Sequence, residues 1–154
     1  MNVFANKTVL VVDDSANMRA IVSHILRALP VRRCLECADA VEALERLRHD
    51  EVDAVIVDFR MEPINGCEFV QLLRTAKDSP APQVPILMIS GHTERSRVLA
   101  ALQAGVSGFL AKPISARTLA ERLAAAFEAP IPRAPKAATP TVEDVNEDES
   151  LYLL

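Results

Sequence analysis

The sequence predicts an α/β domain: a doubly wound, five-stranded parallel sheet in the order 2-1-3-4-5, with five helices on its two faces. Three observations point there. Short, continuously apolar runs alternate with segments of helical periodicity through about 128 residues. The connections between them are short. The apolar runs lack the in-out alternation of a half-exposed strand, so both faces of each strand need covering.

Each element has its own signal. Residues 7–12 (KTVLVV) are a buried β-branched run that Asp13 and Asp14 stop. From 15 to 29, Met18, Ile21, Val22, Ile25, Leu26 and Leu29 recur at helical spacing, with Ser15 as N-cap and Pro30 as terminator. Residues 32–37 form the second strand. A helix over 40–49 follows, with Val41, Leu44 and Leu47 on one face. Residues 53–57 (DAVIV) are the third strand, ended by Asp58. The loop 59–65 contains Pro63 and runs into Asn65-Gly66, a turn signal; a helix covers about 67–76. A Pro-rich loop, 78–85, leads to the strand 86–89, which Ser90-Gly91 end. Thr93 caps a helix to Ala104, and Gly105 stops it. The last strand is 108–111; Lys112-Pro113 follow, then a helix over 116–127.

Composition changes after Phe127. Residues 129–154 are first Pro/Ala-rich and then acidic, and end on an apolar tip, Leu151-Tyr152-Leu153-Leu154. This stretch is expected to be a disordered tail on a domain spanning 1–128. Most of the net charge of −4 sits there, where Arg133 and Lys136 face Glu143, Asp144, Glu147, Asp148 and Glu149. Neither part is basic enough to bind nucleic acid through bulk charge. No apolar run reaches membrane-spanning length, and residues 1–7 do not read as a signal peptide, so a soluble cytoplasmic protein is expected. Cys34 and Cys37 are spaced C-x-x-C, but on a strand residues three apart face opposite sides; with Cys67 they are expected to be structural thiols.

Open parallel sheets bind ligands at the carboxyl ends of their strands. There the sequence places Asp13 and Asp14 (first strand), Asp58 (third), Ser90 (fourth) and Lys112 (fifth). In the order 2-1-3-4-5 the first and third strands are neighbours, so the three carboxylates share one pocket. They repel one another, and a hard divalent cation removes the conflict; an oxygen-only donor set with room for water suits Mg²⁺. Lys112 adds a positive charge and Ser90 a hydroxyl donor. The set fits a site that accepts a phosphoryl group onto a carboxylate.

Taken singly, each residue has a bland reading. Asp13 alone could be a helix cap, Ser90 a loop residue, Lys112 a solvated cation and Phe109 plain core. Five together, in order and each at a strand end, resemble the receiver-domain family of two-component response regulators, chemotaxis regulators included. Local segments match as well: VLVVDDS at 9–15, VIVDFRM at 55–61 and GFLAKP at 108–113. The resemblance covers residues 7–128 and implies a flavodoxin-like fold.

It also implies roles. Asp58 would be the phosphoacceptor. Asp14 would bind Mg²⁺ directly, Asp13 largely through water, and the backbone carbonyl of Arg60 would complete the protein's share of the ligands. Lys112 would contact the phosphoryl group, and Ser90 would hydrogen-bond it. Phe109 sits at the family's switch-aromatic position and would turn inward on phosphorylation into the space that Ser90 vacates, and small Gly91 leaves access. Arg60 and His92 fall where the family tunes the lifetime of the aspartyl phosphate. Lys112-Pro113 would be cis. His24 and His49 read as surface residues.

The implied protein is a stand-alone switch rather than an enzyme. It would take its phosphoryl group from a histidine kinase, with self-phosphorylation and self-dephosphorylation chemistry, and act on an unknown downstream protein. The alternative is a relay shuttle that passes the group to a histidine phosphotransferase. A phosphatase of the haloacid dehalogenase kind would want Asp-x-Asp after the first strand. A flavodoxin-like cofactor binder would want a Ser/Thr/Gly-rich loop where this chain has DDSANM.

Overall fold

A computed structural model describes residues 2–91 and 95–129. The elements run β1 (Thr8–Val12), α1 (Ala16–Arg27), β2 (Arg33–Cys37), α2 (Ala40–His49), β3 (Ala54–Asp58), α3 (Gly66–Thr75), β4 (Ile86–Ser90), α4 (Arg95–Ala104), β5 (Gly108–Ala111) and α5 (Ala116–Glu128). The strands form one parallel sheet in the order β2-β1-β3-β4-β5, as the sequence predicts.

Period-2 alternation explains why the central strands read as unbroken apolar runs. Leu10, Val12, Val55, Val57, Ile86 and Met88 point to one face, where they meet Ala43 of α2, Phe69 and Leu73 of α3 and Val98 of α4. Val9, Val11, Ala54, Ile56, Leu87 and Ile89 point to the other, against Val22 and Leu26 of α1 and Leu119 and Leu123 of α5. With helices on both faces, these strands stay apolar to the carboxyl end, apart from buried Thr8 at the opening of β1, whose N–H donates to Asp53 Oδ2 (2.8 Å).

Several boundaries differ from the sequence reading for physical reasons. Asp58 and Ser90 belong to their strands instead of following them. Asp58 stands opposite Ile89 and Ser90 opposite Ala111 in the ladder, and backbone pairing is indifferent to the polar side chain. Helix α1 ends at Arg27, two residues early. The N–H groups of Ala28 and Leu29 bond to Ile25 and Leu26, a tightened last turn, and Leu29 precedes Pro30, which disfavours helical backbone there.

Asn65 is a helix cap, not merely a turn residue. Its Oδ1 accepts from the Glu68 N–H (2.9 Å), while Glu68 Oε1 accepts from the Asn65 N–H (3.0 Å), a reciprocal capping box that starts α3 at Gly66. Helix α4 begins at Arg95, and the expected Thr93 cap lies outside the described residues, as do His92 and residues 130–154.

Cys34 and Cys37 do face opposite sides. The Cys34 thiol donates to Ser23 Oγ (3.4 Å) under α1, while Cys37 is buried in the other core; all three cysteines are free. Lys112-Pro113 is cis as expected, and so is Glu62-Pro63, which nothing in the sequence reading signalled. No helix among the described residues is long and apolar enough to cross a membrane.

Candidate functional site

The carboxyl end of the sheet gathers the predicted charges. Asp13 follows β1 and Asp58 closes β3; they are 3% and 5% exposed, while Asp14 is open to solvent. Carboxylate oxygens of Asp13, Asp14 and Asp58 lie within 4.8 Å of one another. Lys112, just after β5, places Nζ 2.9 Å from Asp58 Oδ1. Its own N–H donates to the Ser90 carbonyl (2.9 Å), which fixes where the lysine leaves the sheet. Ser90 ends β4 and is buried.

The backbone around Asp13 is tied down on every side. Its N–H donates to the Cys37 carbonyl (3.1 Å). Its Oδ1 accepts from the Ser15 N–H (2.9 Å), and its carbonyl accepts from Arg19 Nη1 (2.6 Å). Ser15 caps α1 by accepting from the Met18 N–H, which aims the start of the helix at the cluster. Burial pushes the Asp13 carboxyl up to about 6; the Ser15 hydrogen bond works against this, the Asp58 charge adds to it, Lys112 opposes it and Asp14 adds a further share.

The donor set passes the test for a hard cation. It is all oxygen, carries more negative charge than one lysine offsets, and holds one carboxyl in which burial and like charge already disfavour ionisation. Arg60 is exposed and lines, with Asp14, Phe59, Met61, Glu62 and Asn65, a cleft of about 360 Å³ beside the cluster. Among the described residues, a Cβ added to Gly91 would meet only Lys112 Cδ, at 3.9 Å. Phe109 is 1% exposed, packed into the core on the α3–α4 side, so its ring already occupies the inward position.

Besides Arg19, two contributors escaped the sequence reading. Arg97 of α4 lays its guanidinium over the Phe59 ring, 4.6 Å from Cζ to the centroid, next to the residue that would be phosphorylated. No sequence signal pairs them, because they lie on different elements. The other is Gly66. A Cβ there would run into the Asp58 carbonyl and sit 3.1 Å from Met88 Cε and Phe59 Cα, and the Gly66 N–H donates to the Phe59 carbonyl (2.9 Å). The capping pattern Asn65-x-x-Glu68 around a glycine was its legible trace.

Gly66→Ala is expected to cost about 1–3 kcal/mol through overpacking against backbone. The urea midpoint should fall accordingly, and a variant as stable as wild type would mean that the end of β3 yields freely.

Comparison with known proteins agrees with this geometry. Residues 9–124 match the model of the response regulator receiver domain. Chemotaxis protein CheY-3 of Vibrio cholerae is 36% identical over 123 residues, covering 80% of this chain and 93% of that protein. Chemotaxis protein CheY of Pseudomonas aeruginosa is 32% identical over 120 residues, covering 78% and 95%. The solved structure of Vibrio cholerae chemotaxis protein CheY4 superposes with a TM-score of 0.70 at 34% identity, over 77% of this chain and 97% of that one. An acidic cluster at the β1 and β3 ends, a lysine after β5 and a family match over nearly all the described residues lead to one conclusion: the chain belongs to the response-regulator receiver-domain family.

Proposed function

We propose that the chain is a signalling switch that accepts a phosphoryl group on Asp58 from a histidine kinase, in a Mg²⁺-dependent reaction, and thereby changes which downstream protein it binds. The observation that carries this reading is the buried Asp58 carboxylate with Lys112 Nζ at 2.9 Å, beside two further carboxylates. A buried aspartate surrounded by like charge is a poor structural element, but it is a good acceptor once the charge is neutralised.

In the transfer, an Asp58 carboxylate oxygen bonds to the donor phosphorus. The donor's P–N bond in a phosphohistidine, or its P–O bond in an acyl phosphate, breaks, and the imidazole or carboxylate leaves with the electron pair. Lys112 places positive charge where the transferred oxygens gather. Asp13, Asp14, Asp58 and the Arg60 carbonyl would hold Mg²⁺, which when bound offsets the remaining phosphoryl charge.

Ser90 and Phe109 would carry the change outward. Ser90 moves toward the phosphoryl oxygens and hydrogen-bonds them, and the Phe109 ring, already inward, packs into the space it leaves. The two states pre-exist, and a partner reads the switch by binding one of them better.

Acetyl phosphate with Mg²⁺ tests the reading directly. Intact-mass analysis is expected to show one added phosphoryl group, absent when EDTA replaces the metal, and hydrogen exchange should change across 90–112. Labelling that persists unchanged in EDTA, or no labelling at all, contradicts the proposal.

Arg60 and His92 are the proposed tuning residues of the phosphorylated state. Arg60 lines the cleft beside Asp14, where its guanidinium can pair with phosphoryl oxygens and shield them from water. The phosphorylated protein is expected to decay faster in Arg60→Asn than in wild type; slower decay removes Arg60 from this role.

A further inference from the structure

We propose that Arg19 is a positioning residue for the cation site: it locks the peptide between Asp13 and Asp14 so that their carboxylates are presented to the metal in a fixed geometry. The inference deepens the Mg²⁺ reading above and rests on it.

Arg19 stands on α1, one helical turn beyond the Ser15 cap. Its Nη1 donates to the Asp13 carbonyl at 2.6 Å. Its Nε lies 3.5 Å from Glu36 Oε1 on β2. The guanidinium therefore spans two elements, with one edge on the acidic loop and the other on the neighbouring strand. The next residue of that strand, Cys37, accepts the Asp13 N–H. Asp13 is thus held at its nitrogen by β2, at its carboxylate by the Ser15 N–H and at its carbonyl by Arg19.

The carbonyl contact matters most for the neighbour. The Asp13 carbonyl and the Asp14 amide share one planar peptide unit, so fixing the oxygen fixes the plane from which Asp14 departs. Asp14 is the solvent-open member of the cluster, and burial does not order it. Arg19 supplies from the side the order that packing does not supply from below. The planar fork of arginine suits this task, because two donors on one rigid group can hold two acceptors on different elements at once.

Charge alone predicts the opposite effect, and that makes the proposal testable. A cation beside a metal site repels the metal. If Arg19 acted only through its charge, removing it would tighten metal binding. If it positions the ligands, removing it weakens binding. Partners behind a metal's direct ligands characteristically change affinity by about 10–100-fold, and Arg19→Met is expected near the lower end, about tenfold weaker. Glu36→Gln leaves Arg19 in place with a weaker anchor and is expected to weaken binding in the same direction by less.

The experiment titrates Mn²⁺, as a paramagnetic substitute for Mg²⁺, into the full chain and reads free metal by electron paramagnetic resonance. Wild type, Arg19→Met, Glu36→Gln and Asp14→Ala are compared, with thermal melts in EDTA to show that each variant is folded. Wild type binding, weaker binding in Glu36→Gln and weakest in Arg19→Met supports the proposal. Should Arg19→Met not fold, Arg19→Lys is titrated in its place: it keeps the charge and loses the fork, so weaker binding supports positioning and unchanged binding overturns it. Equal or tighter binding in the folded variants overturns the role of Arg19 and leaves the cation site standing. A wild-type protein that binds no Mn²⁺ overturns the cation site itself, and this proposal with it.

Discussion

Asp58→Asn protein incubated with acetyl phosphate and Mg²⁺ is expected to gain no phosphoryl group, while wild type under the same conditions is labelled. The amide is not a nucleophile at neutral pH, and of the three clustered carboxylates Asp58 alone has the Lys112 ammonium at 2.9 Å to draw the transferred oxygens onto it. The Asp13 carboxylate is already engaged by the Ser15 N–H. The ion pair of Lys112 is with Asp58. The variant should still fold, because the asparagine side-chain oxygen keeps an acceptor within reach of Lys112 and the backbone pairing of β3 with β4 does not involve the side chain. The loss is therefore read as chemistry rather than unfolding, and a thermal melt checks that point. Asp14→Ala separates metal from nucleophile: it retains Asp58 but is expected to label about 100-fold more slowly, the scale on which one preorganised charge-stabilising group is lost. Equal labelling of Asp58→Asn and wild type would place the phosphoryl group elsewhere and remove the central assignment.

The sheet order and the residues of the acidic cluster were legible because both depend on simple periodicities. Past its opening residue, a strand covered by helices on both faces stays apolar to its carboxyl end, so the first polar residues after the apolar runs of β1, β3 and β4 mark that edge. Asp13, Asp58 and Ser90 are those residues. What stayed hidden depends on contacts between elements whose spacing no periodicity records. Arg19 reaches a backbone carbonyl of the loop before its own helix and a glutamate on β2; in the sequence it is one more charge on the polar face of α1. Arg97 of α4 meets Phe59, the residue after β3. Gly66 matters because α3 starts against the Asp58 carbonyl, an approach distance that only coordinates reveal. Strand ends were misplaced by one residue for the same kind of reason. The hydrophobic pattern stops at Val57 and Ile89, whereas the ladder runs on through Asp58 and Ser90, which remain buried.

The metal-free protein is expected to lose stability as pH rises through the range 4 to 6, and Mg²⁺ is expected to restore it. Asp13 carries the effect. Its carboxyl is raised from 3.8 to about 6, first by burial and then by the Asp58 and Asp14 charges. A group whose folded pKa lies above its unfolded value binds its proton more tightly in the folded state. Its contribution is fully present below the unfolded value, near 4, and is lost as pH rises through about 6. At 1.36 kcal/mol per unit, a shift of this size amounts to about 2–3 kcal/mol between those limits, an upper figure because Asp58 and Asp14 share the interaction. Above the window, the folded metal-free protein carries an ionised Asp13 next to two other carboxylates, and a divalent cation relieves that burden by binding the folded state alone. Urea titrations in EDTA at pH 5 and pH 7.5, repeated with Mg²⁺ and in Asp13→Asn, isolate the contribution. In EDTA, wild type should be less stable at pH 7.5 than at pH 5 by more than Asp13→Asn is, because the variant has no proton to lose there. Added Mg²⁺ should close the gap in wild type and do much less in the variant. Parallel pH profiles for the two proteins in EDTA would show that Asp13 titrates no differently folded than unfolded, and would remove the electrostatic strain from the account of why this cluster takes a cation.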